Sequence, residues 1–325
     1  MPTQPSELLH KHLDRFASAV NHAAKGDVRA LHRTRVASRR LRELIPLLQL
    51  EHDLARKLGR RLRKVTRRLG SIRELDVLLL LIDELRVSRR EYSQALGRLA
   101  VTVSKERDDA RGHLGFREPF DEARRAARRL ARILERLPEE EQPVLVHGST
   151  ERWRWAIDAR MAGRAARLRA TMRDAGAVYL PERLHAVRIA LKKLRYSVEM
   201  ATEAAGQRSS ADVRTLRRAQ DTLGRLHDLQ VLIDRIRQMQ ASLVPPHVTV
   251  WHGLDRLVTA LENDCRRLHA RYVRQRARLD AIAARLSAHA GSSHPRIPLS
   301  PAHAGRRTGT AVAMERRSPR RPVAV

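Results

Sequence analysis

Aromatic residues make up only 3% of the 325-residue chain, and it contains a single cysteine, Cys265. One thiol can form neither an intramolecular disulfide nor a multi-cysteine metal site, which fits a reducing cytoplasm. So few Phe, Tyr and Trp leave little material for the stacking platforms on which single-stranded nucleic acids are usually held. Acid is scarce too: 36 Asp and Glu stand against 66 Lys and Arg, a formal charge of +30. A chain so charged repels itself unless a polyanion compensates it, so its partner should be acidic. Long apolar runs are missing. The longest, Val77 to Ile82, is far too short to cross a bilayer, and Met1 to Glu7 leads into charged sequence without the apolar stretch of a signal peptide. A soluble, cytoplasmic protein with no membrane partner is expected. Even lysine is rare, at seven residues against 59 Arg. The planar guanidinium, which chelates phosphate oxygens in pairs, suits phosphate recognition better than a point-charge ammonium. A GC-rich coding bias would explain the arginine excess equally well, but not the shortage of acid.

What is present is helix. Leu, Ala, Arg and Glu dominate, and the first 290 or so residues carry apolar spacing of helical rather than alternating period. The fold class predicted is all-α. Helix one should run from Ser6, a candidate N-cap, to Lys25 before Gly26, with Asp27 capping a second helix over Val28 to Leu50 that Pro46 should kink. A third segment begins at Asp53, reaches Gly70 and resumes to Val87. Two helices are expected between Glu91 and Leu137, broken near Gly112–Gly115 and Pro119. Pro138–Pro143 and His147–Thr150 mark a lobe boundary. Further helices follow over Glu151–Ala175, from Pro181 to near Gly206, over Ser210–Met239, and, after Pro245-Pro246, over Val248–His289. The 35 residues from Gly291 hold seven Arg and one Glu and should form a disordered tail; their net +6 leaves +24 on the body.

The chain repeats itself. His32-Arg-Thr-Arg35-Val-Ala-Ser-Arg39-Arg40-Leu-Arg42 returns as His185-Ala-Val-Arg188-Ile-Ala-Leu-Lys192-Lys193-Leu-Arg195, offset by 153 residues. Leu69-Gly70-Ser-Ile-Arg73-Glu74-Leu-Asp76-Val-Leu returns as Leu223-Gly224-Arg-Leu-His227-Asp228-Leu-Gln230-Val-Leu, offset by 154. Two matches in the same order at nearly one separation indicate a duplication. At about 100° per residue, His32, Arg35, Arg39 and Arg42 fall within an arc of roughly 80°, and His185, Arg188, Lys192 and Arg195 repeat it. Leu41, Leu44 and Leu48, like Leu191, Leu194 and Val198, lie round the other side and should face a core. Between the paired blocks, Arg60, Arg63 and Lys64 correspond to Arg214, Arg217 and Arg218, so the cation pattern is duplicated as well. A solvated charged face is the plain alternative for any such run.

With these residues the chain resembles the conserved histidine α-helical domain, CHAD, over roughly residues 6–285. One departure is Glu74, where the first copy in that family usually has Asp; both are carboxylates. The resemblance implies two pseudo-symmetric helical bundles, a basic cavity that binds inorganic polyphosphate, and residence at polyphosphate granules. Relatives are often fused to a triphosphate tunnel metalloenzyme domain, which the few residues ahead of helix one could not hold, so a stand-alone domain is expected. The duplication places one bundle in residues 1–140 and the other in 141–290, with 291–325 as the tail.

Catalytic motifs are lacking: there is no P-loop, nucleophile elbow, H-E-x-x-H or Cys/His cluster. No enzyme activity and no cofactor are expected. His10, His12 and His22 are scattered on helix one, and nearby cations would oppose a bound dication, so no metal site is expected. His32 and His185 can be read as core or helix-start histidines, or as phosphate ligands that donate from both nitrogens when charged. The candidate polyphosphate ligands are His32, Arg35, Arg39, Arg42, Arg60, Arg63 and Lys64, with His185, Arg188, Lys192, Arg195, Arg214, Arg217 and Arg218. A basic helical nucleic-acid-binding protein remains the second reading, because backbone contacts alone suffice for duplex DNA. A His-dependent phosphotransfer or polyphosphate-cleaving enzyme is the third.

Overall fold

A computed structural model describes residues 5–47, 50, 52–112, 117–135, 149–207, 210–242 and 248–292. Every regular element among them is helical. Helix α1 (Pro5–Ala24) includes Ser6 in its first turn rather than before it. Gly26, at φ 95° just past the last turn, ends that helix in a conformation that costs glycine nothing. The Asp27 carboxylate then accepts from the Arg29 and Ala30 amides at 2.7 and 3.0 Å and starts α2 (Val28–Leu44). Pro46 does not kink α2 but stops it: with no N–H to offer the carbonyl four residues back, the chain tightens into a 3-10 turn over Ile45–Leu47.

Helix α3 (His52–Ser88) passes through Gly70 unbroken, contrary to the expected interruption. A mid-helix glycine costs about 1 kcal/mol relative to alanine, which is small beside the burial of Leu62, Val65, Leu69 and Ile72 on the same helix. Helices α4 (Ser93–Gly112) and α5 (Glu118–Glu135) follow, with Pro119 inside the first turn of α5. The second half consists of α6 (Ser149–Ala175), α7 (Pro181–Ala204), α8 (Ala211–Ala241) and α9 (Val248–Ser292). Pro181 opens α7, as the sequence suggests, and Ser210, expected as the first residue of α8, instead caps it with its hydroxyl. Of the expected boundary, Pro138–Pro143 and His147–Gly148 lie outside the described residues, as do the Pro245-Pro246 break and the tail from residue 293. Ser149 and Thr150 already belong to α6, and Gly291 and Ser292, expected in the tail, still belong to α9. No described helix is long and apolar enough to cross a membrane.

The duplication is visible in the packing. In the first half α1 packs on α2, α2 on α3, α3 on α5 and α5 back on α1. In the second, α6, α7, α8 and α9 close the same ring. Phe16, Leu41, Leu62 and Phe120 fill the first bundle, and Leu168, Leu191, Leu216 and Tyr272 the second. A third core belongs to both halves. The far ends of α3 and α8 run beyond their own bundles and meet α4 and the first part of α9 around Ile82, Leu96, Leu232 and Leu257. One 45-residue helix, α9, thus does for the second half what α4 and α5 do separately for the first.

Candidate anion-binding cavity

Where α2, α3, α7 and α8 converge, they enclose a cavity of about 720 Å³. The buried Ser38 hydroxyl seats α2 on α3, donating to the Leu62 carbonyl at 3.0 Å and lying 2.8 Å from the Thr66 hydroxyl. That contact sets the phase of α2, so the face holding His32, Arg35, Arg39 and Arg42 turns into the cavity while Leu41 and Leu44 turn into the core. From α7, His185, Arg188, Lys192 and Lys193 enter from the opposite side. Helix α3 adds Arg63, Arg67, Arg73 and Glu74, and α8 adds His227 and Asp228. Val36 with its equivalent Ile189, and Val77 with its equivalent Val231, form an apolar wall between the charges. Nine cations and three histidines therefore face three carboxylates, Glu43, Glu74 and Asp228. Low-dielectric walls and one dominant sign of charge focus the field in such a cleft.

Two pseudo-equivalent arginines are the most telling. Arg35 Nη1 and Arg188 Nε are buried donors with no hydrogen-bond partner. A buried donor left unsatisfied costs about 1–3 kcal/mol. Room for the Arg35 guanidinium comes from Gly70: a Cβ built on that glycine would lie 2.9 Å from Arg35 Nη1. Gly224, its counterpart, has nothing within 4 Å of the same position.

Crowding of like charge shows in the acid-base properties. Burial first, then Arg188, Arg39 and Arg35, pulls the Lys192 ammonium down to about 7. Burial and Arg39 lower Arg35 to about 10. His32 and His185 fall below the usual imidazole range through burial and the cations beside them. His227, whose Nδ1 lies 3.4 Å from His185 Nδ1, is pushed down to about 4 by burial, Arg188 and His185. Asp228 moves up, because burial outweighs its attraction to Arg188. In every case burial is the largest cause, and for the basic groups the neighbouring cations act in the same direction.

Eight of the fourteen expected ligands line this space: His32, Arg35, Arg39, Arg42, Arg63, His185, Arg188 and Lys192. The other six do not. Arg60 and Arg218 are exposed on α3 and α8, and Arg214 is exposed at the start of α8. Lys64 pairs with Glu122 at 3.5 Å. Arg195 donates to Gln220 at 2.7 Å and to Glu199, and Arg217 reaches the same Glu199 at 3.2 Å. The reason is local. Glu199 occupies the position equivalent to Pro46, so the second half has a carboxylate one turn after Arg195 that the first half lacks. It also takes Arg40 at 3.2 Å, whereas Lys193, the equivalent of Arg40, enters the cavity. The pseudo-symmetry is therefore broken in charge: Arg67 and Arg73 face Asp221 and His227 at the matched positions of α8.

Sequence reasoning did not assign Arg67, Arg73, Glu74, His227 or Asp228 to the site. The signal existed in the second repeated block, which holds Arg73-Glu74 and His227-Asp228 at matched places, and in Arg67, one turn after Arg63. The helix-one histidines serve elsewhere: buried His12 donates to Glu203 of α7 at 3.0 Å, and His22 Nδ1 meets the Ser18 carbonyl at 2.8 Å. Among the described residues no group of three or more His, Cys, Asp or Glu is placed to hold a metal ion.

The CHAD domain model matches residues 7–237. Among solved structures, the chain is similar to the crystal structure of the CHAD domain from the plant Ricinus communis. The TM-score is 0.51 at 21% identity, over 88% of this chain and 93% of that one, a likeness of fold. No curated protein matches the chain. With the duplicated helix pairs, the shared fold and a family match over most of its length, this chain belongs to the CHAD domain family.

Proposed function

We propose that the protein binds inorganic polyphosphate, without chemical turnover, in the cavity between α2, α3, α7 and α8. The observation that carries this reading is the pair of buried, unpartnered donors on Arg35 and Arg188 within a wall of nine cations. A chain of phosphates supplies charge and acceptors at short intervals and presents no base that would need stacking. Apart from its three imidazoles the cavity has one aromatic ring, Tyr196, and the Arg195 guanidinium already lies 4.5 Å above it. Duplex DNA displays its phosphates on a convex surface, whereas these donors sit in a recess. Cytoplasmic residence at polyphosphate granules follows from this reading.

Competition decides it. Long-chain polyphosphate should displace labelled duplex DNA or RNA at physiological salt, and nucleic acid should not displace polyphosphate. The Arg39→Glu/Lys192→Glu variant, with helicity checked by circular dichroism, should lose polyphosphate binding by about a hundredfold or more, because two attractions become repulsions beside a polyanion. Retention of DNA above polyphosphate at every salt concentration would favour the nucleic-acid reading, and undiminished binding by the folded variant would remove the cavity from the site.

A further inference from the structure

Away from the cavity, α5 carries a face of exposed arginines. Arg125, Arg128, Arg129 and Arg132, with Arg61 of α3, line a groove of about 520 Å³ between the two helices. All five are exposed, and among the described residues none makes an ion pair. Elsewhere on the surface, pairing is common: Arg169 with Asp280, Arg225 with Glu84, Arg235 with Glu106, Arg285 with Asp212. On α5 itself the acids other than the terminal Glu135 lie in the first two turns, where Glu118 takes Arg68 at 2.6 Å and Glu122 takes Lys64. Among the residues that line the groove, Glu135 is the one acid beside five guanidinium groups.

This groove is joined to the cavity. Taking Arg60 as zero and advancing about 100° per residue, Arg63 and Arg67 lie near −60° and −20°, Lys57 near +60° and Arg61 near +100°. Arg63 and Arg67 line the cavity and Arg61 lines the groove, so cations at intervals of no more than about 60° carry positive charge across the outer face of α3 from one to the other. The opposite side of the cavity has no such extension. There Asp221 replaces Arg67, and Glu199 ties up Arg195 and Arg217. A polyanion leaving the cavity is drawn toward α3 and α5 and away from α8.

We propose that the α3–α5 groove is a second polyphosphate site, continuous with the cavity across α3, so that one long chain occupies both and short chains occupy the cavity alone. This rests on the cavity reading above and adds to it a chain-length preference with a physical origin. The second engagement is intramolecular and gains from a high effective concentration.

The test uses the full chain and two probes, tripolyphosphate and long-chain polyphosphate, each titrated over a range of salt. The variant is Arg125→Gln/Arg128→Gln/Arg132→Gln, since glutamine keeps helix propensity at exposed positions. Circular dichroism and thermal unfolding verify its fold. Tripolyphosphate affinity should be unchanged. Long-chain affinity should fall about tenfold, and the slope of log K against log salt should drop by about 2, as each phosphate contact on a single strand contributes roughly 0.7. Unchanged long-chain affinity and slope overturn the second site and leave the cavity reading standing. Equal weakening of both probes also overturns it, because the effect then acts on the cavity itself. Loss of duplex DNA retention with polyphosphate binding intact would make the groove a nucleic-acid surface and overturn it likewise. If instead the Arg39→Glu/Lys192→Glu variant binds both probes as the native chain does, the cavity reading fails, and the shared chain with it.

Discussion

Lys192 concentrates the conflict between stability and binding. Its side chain is held among Arg188, Arg39 and Arg35, and titrates at about 7 rather than 10.5. Between those two values the unfolded chain holds a proton that the folded chain does not, so the free protein loses stability as pH falls through that window. A polyanion reverses the balance by favouring every protonated group that faces it. Binding should therefore take up protons, and affinity should fall as pH rises above about 7, where free Lys192 becomes neutral. The histidines extend the same trend into acid, with His227 titrating last, at about 4. Calorimetry in two buffers of different ionisation enthalpy would show it; identical heats, or an affinity that grows with pH, would refute the linkage. Lys192→Met should then stabilise the free protein below neutrality by about 1–2 kcal/mol while weakening polyphosphate binding. A variant that loses both stability and affinity would mean that Lys192 is held by favourable contacts instead.

At the level of elements, the helices were legible because their signals are local. Asp27 and Ser210 as caps, Gly26, Gly176 and Gly206 at positive φ, and Pro181 at the start of α7 all act within one turn. The cation stripes were legible for the same reason, since a face needs only the helical period. What could not be read was which neighbour a charged side chain would choose. Arg195 matches Arg42 within the repeated motif and differs in its fate because Glu199, one turn on where the first half has Pro46, and Gln220 of the neighbouring helix both claim it. Gly70 and Gly224 make the same point. Both sit inside helices in the same repeated motif, yet only Gly70 has a guanidinium against it. Gly224→Ala should stabilise the protein by about 0.5–1 kcal/mol, the gain of a better helix former. Gly70→Ala should forfeit that gain by displacing Arg35, and should weaken polyphosphate binding. Thermal unfolding and titration of the two variants side by side would test this. Equal stabilisation with no change in affinity would show that Arg35 moves aside freely.

For the whole molecule, the duplication suggests two lobes, while the packing adds a core that neither half owns. Leu78, Leu81, Ile82 and Leu85 of α3 are buried together with Leu229, Leu232, Ile233 and Ile236 of α8. Separating the halves would bare both rows to water at roughly 25 cal/mol for each Å² of apolar surface. The cavity has the same dependence, since its walls come from α2 and α3 on one side and α7 and α8 on the other. Binding and folding should thus be coupled across the pseudo-symmetry. The full chain is expected to unfold in one cooperative transition, and polyphosphate at a hundred times its dissociation constant should raise the stability of that single transition by about 2.7 kcal/mol. A fragment ending at Glu135 should neither form a stable monomer nor bind, since it retains half of the cavity wall and an uncovered third core. Calorimetric scans with and without polyphosphate would settle the matter. Two separate transitions, of which polyphosphate shifts only one, would show that one half binds alone and that the shared core transmits nothing.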